Sequence, residues 1–102
     1  MTVAPRALIT GAGGQVGLEL QATAPSGWVV AACPSDQLDV TRADAVRAAI
    51  TTFRPSVVIH AAAYTAVDAA EANADRARAV NVEGTVHVAE AARAVGARML
   101  HL

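Results

Sequence analysis

Residues 7–17 read Ala-Leu-Ile-Thr-Gly-Ala-Gly-Gly-Gln-Val-Gly, and this run decides how the rest of the chain folds. A short apolar segment ends at Thr10, glycines follow at 11, 13, 14 and 17, and residues 18–22 (Leu-Glu-Leu-Gln-Ala) favour helix. The order is strand, tight turn, helix start. A glycine at the strand end lets the backbone turn with positive φ. A second, lacking Cβ, lets a diphosphate reach the amides, and a third lets helix and strand approach closely. The helix start offers N–H groups and a partial positive charge to an anion. A dinucleotide is the candidate ligand, and Gly11-x-x-Gly14-x-x-Gly17 its cradle. The plainer reading is a glycine-rich strand-to-helix turn that holds nothing.

Outward from this run, strands and helices alternate. Pro25-Ser26-Gly27 punctuates the chain, and Trp28-Val-Val-Ala-Ala32 reads as a second buried strand ending at Cys33-Pro34. Beyond Leu38-Asp39-Val40, Thr41 with Asp44 three residues on spells a capping box. Val46, Ala49, Ile50 and Phe53 then recur at helical spacing until Pro55 stops the helix. Ser56-Val-Val-Ile-His60 is a third strand. Residues 67–74 read as a short acidic helical piece. Residues 76–95 read as a longer helix with Ala77, Val80, Gly84, Val88, Ala91 and Val95 on one stripe and Gly96 as terminator. Gly84 inside that helix costs about 1 kcal/mol against alanine, which predicts close packing or a kink there. Residues 98–102 begin a fourth strand with a bare apolar edge.

The strands are short continuous apolar runs without alternation, the pattern of strands covered on both faces. The expected fold class is therefore α/β: a parallel sheet of about four strands with helices on both faces, joined by right-handed crossovers. At 102 residues the chain is one domain at most, and it is expected to be the N-terminal portion of a larger protein. The net charge of −1 gives no reason to expect nucleic acid or an anionic membrane as partner. Apolar runs are broken by charges well short of a bilayer span, and residues 1–5 lack the features of a secretory signal. The single cysteine, Cys33, excludes an internal disulfide and suits a reducing cytoplasm. All eight basic residues are arginine, and the bias to Ala, Arg and Val suggests a GC-rich bacterial genome.

Four segments, taken in order and spacing, resemble dTDP-4-dehydrorhamnose reductase, an extended short-chain dehydrogenase/reductase. They are residues 10–17, Leu38-Asp39-Val40-Thr41, residues 54–68 (Arg-Pro-Ser-Val-Val-Ile-His-Ala-Ala-Ala-Tyr-Thr-Ala-Val-Asp) and residues 79–85 (Ala-Val-Asn-Val-Glu-Gly-Thr). The resemblance implies a Rossmann-like domain over residues 1–102, with the catalytic and substrate-binding part elsewhere. It implies reduction of the C4 keto group of a dTDP-sugar, dTDP-4-dehydrorhamnose, by NADPH or NADH, giving dTDP-L-rhamnose. On that basis Gly11, Gly14, Gln15, Val16 and Gly17 would hold the diphosphate, and Asp39 and Val40 would border the adenine. Ala61, Ala62, Ala63, Tyr64 and Thr65 would line the nicotinamide side. Any homo-oligomer is expected to form through regions beyond these residues.

The physical readings of the same residues stay open beside it. Asp39 is either an acceptor for the adenine amine or part of the helix-entry turn, and Ala61–Ala63 are either cofactor wall or small-residue packing. The end of the second strand, where an acidic or basic residue often selects between the two nicotinamide cofactors, carries Cys33-Pro34, which selects neither. Cys33 reads as a partly buried spacer. The family's chemistry uses a Tyr-x-x-x-Lys pair, whereas Tyr64 has Asp68 four residues on and the chain has no lysine, so no catalytic residue is assigned. His60, His87 and His101 fit no metal spacing and read as structural or exposed; Asn81 reads as structural support. Asp68, Glu71 and Asp75 read as a solvated acidic face. Two other functions share these features: a non-catalytic NAD(P)-binding regulatory subunit, and a fragment of a nucleotide-sugar epimerase or dehydratase.

Overall fold

The computed structural model describes residues 4–62 and 74–102. Four strands, β1 (Arg6–Thr10), β2 (Val29–Cys33), β3 (Val57–His60) and β4 (Arg98–His101), form one parallel sheet in the order β2-β1-β3-β4. The chain moves from β1 to one side and then returns past it to β3. Strand order therefore reverses between β1 and β3, where a doubly wound sheet opens a crevice beyond its carboxyl ends.

Helix α1 (Gln15–Ala22) lies on one face, and α2 (Ala43–Phe53) packs on the other with the last helical region. The apolar stripe read from the sequence explains α2: Val46 and Ile50 are fully buried, and both join Leu8, Val58, Val88 and Ala92 in the core. Arg54 then takes a left-handed conformation at the helix end (φ 53°), and Pro55 follows. Opposite α2, α1 leaves an apolar groove lined by Ile9, Leu20, Trp28, Val30, Ile59 and Leu100. That face is unevenly covered: Ala7 and Ile9 of β1 are buried on it while Leu100 of β4 is 54% exposed, so the burial expected on both faces is met at β1 and not at the edge strand.

Two local expectations are corrected. Thr41 is not the N-cap of α2; Arg42 is, and no side chain caps it. Thr41 instead donates both its backbone N–H and its hydroxyl to Asp39 Oδ1, at 3.0 and 2.6 Å. Asp39, two positions earlier, thus takes the backbone N–H that the Asp44 carboxylate of a capping box would have accepted. The helix read over 76–95 is interrupted: α3 (Ala74–Arg78) passes through a π-turn (Ala79–Glu83) into α4 (Gly84–Ala94). Gly84 starts α4 where a Cβ would stand 2.6 Å from Val40 Cγ2, so the close packing predicted at this glycine is real, with the π-turn beside it. Gly96 ends the helical region at φ +72°. Of the acidic piece read over 67–74, residues 67–73 lie outside the described residues, as do Asp68 and Glu71; Asp75 is exposed on α3.

Candidate functional site

A cleft of about 490 Å³ opens at the reversal point beyond β1 and β3. Its floor is the turn after β1. Gly11 carries φ +61° and runs so close to the segment after β3 that a Cβ would stand 2.5 Å from Ala62 Cα. The Gly14 amide closes the turn onto Gly11 O at 3.0 Å, and Leu18 N–H donates back to Gly14 O as the first bond of α1. Gly14 is the N-cap of α1 in extended conformation, and no side chain caps the helix. Ser, Thr, Asp or Asn at this position would itself accept a first-turn amide. Glycine leaves the first-turn amides, those of Gln15, Val16 and Gly17, facing an open site with the helix's partial positive charge. Gly17 is buried with its α-carbon against the turn: a Cβ there would lie 2.6 Å from Ala12 Cα. The third glycine thus brings the helix onto the glycine turn, rather than onto the strand.

One tie here has no signature in the sequence. Gln21, one helical turn beyond Gly17, donates Nε2–H to both Ala12 O and Gly17 O, at 2.9 and 3.0 Å. The Ala12 amide reaches Cys33 O at 3.3 Å, and Gly13 passes Pro34, so the turn is held against the end of β2. Cys33 is half-buried, and burial pushes its thiol pKa up, which suits the spacer role read from the sequence.

The second wall is Leu38, Asp39 and Val40. Asp39 Oδ1 receives Thr41 twice, and Arg76 Nη2 lies 3.6 Å away. The Thr41 hydroxyl, then its amide, then the charges of Arg76 and Arg42 hold the Asp39 carboxyl below its ordinary range. Among the described residues, these bonds use Oδ1, leaving Oδ2 as an acceptor. Both readings of Asp39 therefore describe one residue: one oxygen orders the helix-entry turn, and the side chain still borders the cleft. Val40 O accepts His87 Nδ1–H at 2.8 Å, which makes His87 a structural residue.

The third wall is Ala61 and Ala62, with Arg76 and Val80 beside it. Of the residues singled out in the sequence, Gly11, Gly14, Gln15, Val16, Gly17, Asp39, Val40, Ala61 and Ala62 line this one cleft. Ala63, Tyr64 and Thr65 lie outside the described residues. Ser35, Leu38, Arg76 and Val80 also line the cleft and were missed. Only chain reversal brings α3 over Asp39, 37 residues earlier, and the sequence carried no local signal for that approach.

A family model described as RmlD substrate binding domain matches residues 5–102. The chain belongs to this family. Among RmlD-family relatives, a dTDP-4-dehydrorhamnose reductase of Streptomyces griseus is 48% identical over 99 residues, covering 96% of this chain and 33% of the relative. One from Aggregatibacter actinomycetemcomitans is 44% identical, covering 95% of this chain and 34% of the relative. The crystal structure of dTDP-4-dehydrorhamnose reductase from Bacillus anthracis in complex with NADP superposes with a TM-score of 0.90 at 37% identity, over 95% of this chain and 35% of that one. The chain thus spans about a third of the length of these relatives. The expected α/β Rossmann-like fold is present, and it is shared with NADP-binding reductase structure.

Proposed function

We propose that residues 1–102 form the NAD(P)H-binding domain of a dTDP-4-dehydrorhamnose reductase, which reduces the C4 keto group of dTDP-4-dehydrorhamnose to give dTDP-L-rhamnose. The observation that carries this reading is the uncapped start of α1 at Gly14, facing Asp39–Val40 and Ala61–Ala62 across one cleft. The relatives' names and the NADP-bound relative support the same reading.

The cleft fits a dinucleotide on its own chemistry. Gly14 has room for a Cβ at ordinary contact distance, 3.4 Å from Gly11 O, so the protein's packing does not require glycine there. Its use is to leave the α1 amides open for the diphosphate, with Gln15, Val16 and Gly17 supplying them. Asp39 Oδ2 would accept from the exocyclic amine of adenine, with Val40 against the ring. Ala61 and Ala62 would form the wall toward the nicotinamide. The nicotinamide supplies hydride; this chain's residues bind the cofactor and orient it. On this reading the proton donor and most of the substrate contacts correspond to the roughly two thirds of the relatives' length that this chain does not span. A bacterial cytoplasm, where nucleotide sugars and reduced thiols both occur, is the expected location.

Titration of the chain with NADPH and with NADH, followed by nicotinamide fluorescence, tests the binding half, and turnover of a dTDP-4-keto-6-deoxy sugar by a full-length protein carrying this domain tests the reaction. Saturable binding with turnover is expected. Binding without turnover would favour a regulatory NAD(P)-binding subunit, and no binding would overturn the reading.

A further inference from the structure

The mechanism above leaves one buried polar cluster unused, and it sits beneath the cleft. The His60 side chain, at the end of β3, is fully buried between Thr10, at the end of β1, and Thr85, in the first turn of α4. Thr10 Oγ1 lies 2.7 Å from His60 Nδ1, and His60 Nε2 lies 3.1 Å from Thr85 Oγ1.

Two independent features set the direction of every proton in this chain. Thr10 Oγ1 accepts the amides of Ala61 and Ala62, at 3.1 and 3.2 Å. A hydroxyl oxygen has two lone pairs, so its own proton goes to Nδ1. At the other end, Thr85 Oγ1 donates to the carbonyl of Asn81, at 2.9 Å, and a carbonyl only accepts. Thr85 Oγ1 therefore receives Nε2–H. Both ends demand the same state of the ring: neutral, protonated at Nε2. Burial, with His101 beside it at 5.2 Å between ring centroids, keeps the ring neutral, its pKa pushed down to about 4.

We propose that His60 is the positioning residue of the cleft, which as the Nε2–H tautomer joins the β1 glycine turn and the Ala61–Ala62 wall to the π-turn and α4. The geometry reaches all three walls without His60 touching the site. Thr10 precedes Gly11 and holds the Ala61 and Ala62 amides, which is how residue 62 comes to lie against the Gly11 α-carbon. Thr85 follows Gly84, which packs on Val40, and its hydroxyl fixes the carbonyl of Asn81, the neighbour of the cleft residue Val80. Loss of the Thr85 hydroxyl leaves the buried Nε2–H without its acceptor, so the bond that fixes the ring's tautomer is gone, and with it the constraint on the Thr10 hydroxyl that holds the two amides. The effect on cofactor affinity rests on the reading of the cleft as a dinucleotide site; the tautomer and the amide contacts do not.

The test combines nitrogen-15 NMR of the imidazole, amide hydrogen exchange at residues 61 and 62, and NADPH titration, on the 102-residue chain and its Thr85→Val and Thr85→Ser variants. At neutral pH the wild-type ring is expected to show an unprotonated Nδ1 and a protonated Nε2. Thr85→Val is expected to lower protection at both amides and to weaken NADPH binding roughly fivefold, the loss of one net hydrogen bond. Thr85→Ser, which keeps the hydroxyl, is expected to stay within about twofold of wild type on the same footing. An Nδ1–H ring or an imidazolium at neutral pH overturns the proposal, as do Thr85→Val amides protected like wild type. Wild-type protein with the expected ring and amide signals but no NADPH binding supports the relay and overturns the cofactor reading instead.

Discussion

Gly84 meets Val40 edge to edge: a Cβ on residue 84 would stand 2.6 Å from Val40 Cγ2 and 3.2 Å from Val40 Cβ. This contact lets α4 reach the loop that forms the second wall of the cleft. Val40 is buried and β-branched, so it has few ways to move aside. Overpacking of this kind costs about 1–3 kcal/mol, while alanine returns about 1 kcal/mol of helix propensity. Gly84→Ala is therefore expected to destabilise the chain by roughly 1 kcal/mol on those figures, read as a lower urea midpoint at unchanged slope. A variant more stable than wild type would show that the loop at Val40 yields freely.

Asp39 has two kinds of partner, and they are expected to matter unequally. Thr41 gives it two hydrogen bonds, one of them 2.6 Å, within a single turn. Arg76 is 3.6 Å away, and both side chains are more than a third exposed, where ion pairs contribute little. Asp39→Ala is expected to cost about 1 kcal/mol of stability by undoing the Thr41 turn. Arg76→Ala is expected to stay within about 0.5 kcal/mol of wild type. Equal losses in chemical denaturation would mean that the ion pair, not the turn, orders this wall. On the proposed reading of the cleft, NADPH affinity is also expected to fall in Asp39→Ala, because the acceptor proposed for the adenine amine is lost.

What the sequence disclosed follows from the range of each interaction. The four strands, the glycine turn, the stop at Pro55 and the terminator Gly96 are set by residues within a few positions of one another, and all were legible. Thr41 misled because two local carboxylates, Asp39 and Asp44, are placed to accept its backbone N–H, and the closer one, Asp39, won. The π-turn at Ala79–Glu83 escaped because an apolar stripe continues through it with little change of phase. The pairing of Thr10 with His60 spans 50 residues, and a histidine at a strand end gives no sign of what faces it. Nine positions singled out in the sequence line the cleft, whereas Arg76 and Ser35 became visible only once the chain had folded back on itself.

The depressed pKa of His60 makes a prediction about acid. Folded, the ring resists protonation until about pH 4; unfolded, it takes a proton near its ordinary value of 6.5. Between those values the unfolded chain binds more protons, so stability falls as pH drops through the window, by at most about 1.4 kcal/mol per pH unit. His101 is the titratable group facing the ring, and a charge on it adds to the cost of charging His60. The lowered carboxyls of Asp39 and Asp44 act in the same direction, but below the ordinary carboxylate range, so the two windows separate. Urea midpoints measured from pH 7 to 4.5 are expected to decline in wild type and to flatten in His60→Asn, which cannot titrate. A decline of equal slope in both proteins would place the acid sensitivity elsewhere.

Gly14 separates stability from function most sharply, because the two are expected to change in opposite directions. It is the N-cap of α1 with φ −78° and ψ 172°, a conformation open to any residue, and a Cβ there makes only ordinary contact with Gly11 O. Aspartate at an N-cap accepts a first-turn amide and favours the positive end of the helix, a gain over glycine of a few tenths of a kcal/mol. Gly14→Asp is therefore expected to leave the melting temperature unchanged or slightly raised. The same carboxylate occupies the amides that the diphosphate would use and adds a negative charge beside it, so NADPH affinity is expected to fall by about tenfold or more, as several kinds of contact are lost together. At Gly17 the order reverses: a Cβ would lie 2.6 Å from Ala12 Cα and 2.7 Å from Gly11 O, so Gly17→Ala damages the fold itself. Calorimetric melts and NADPH titrations of the two variants distinguish these cases. A Gly14→Asp protein that kept wild-type affinity would show that the cofactor does not sit on the start of α1.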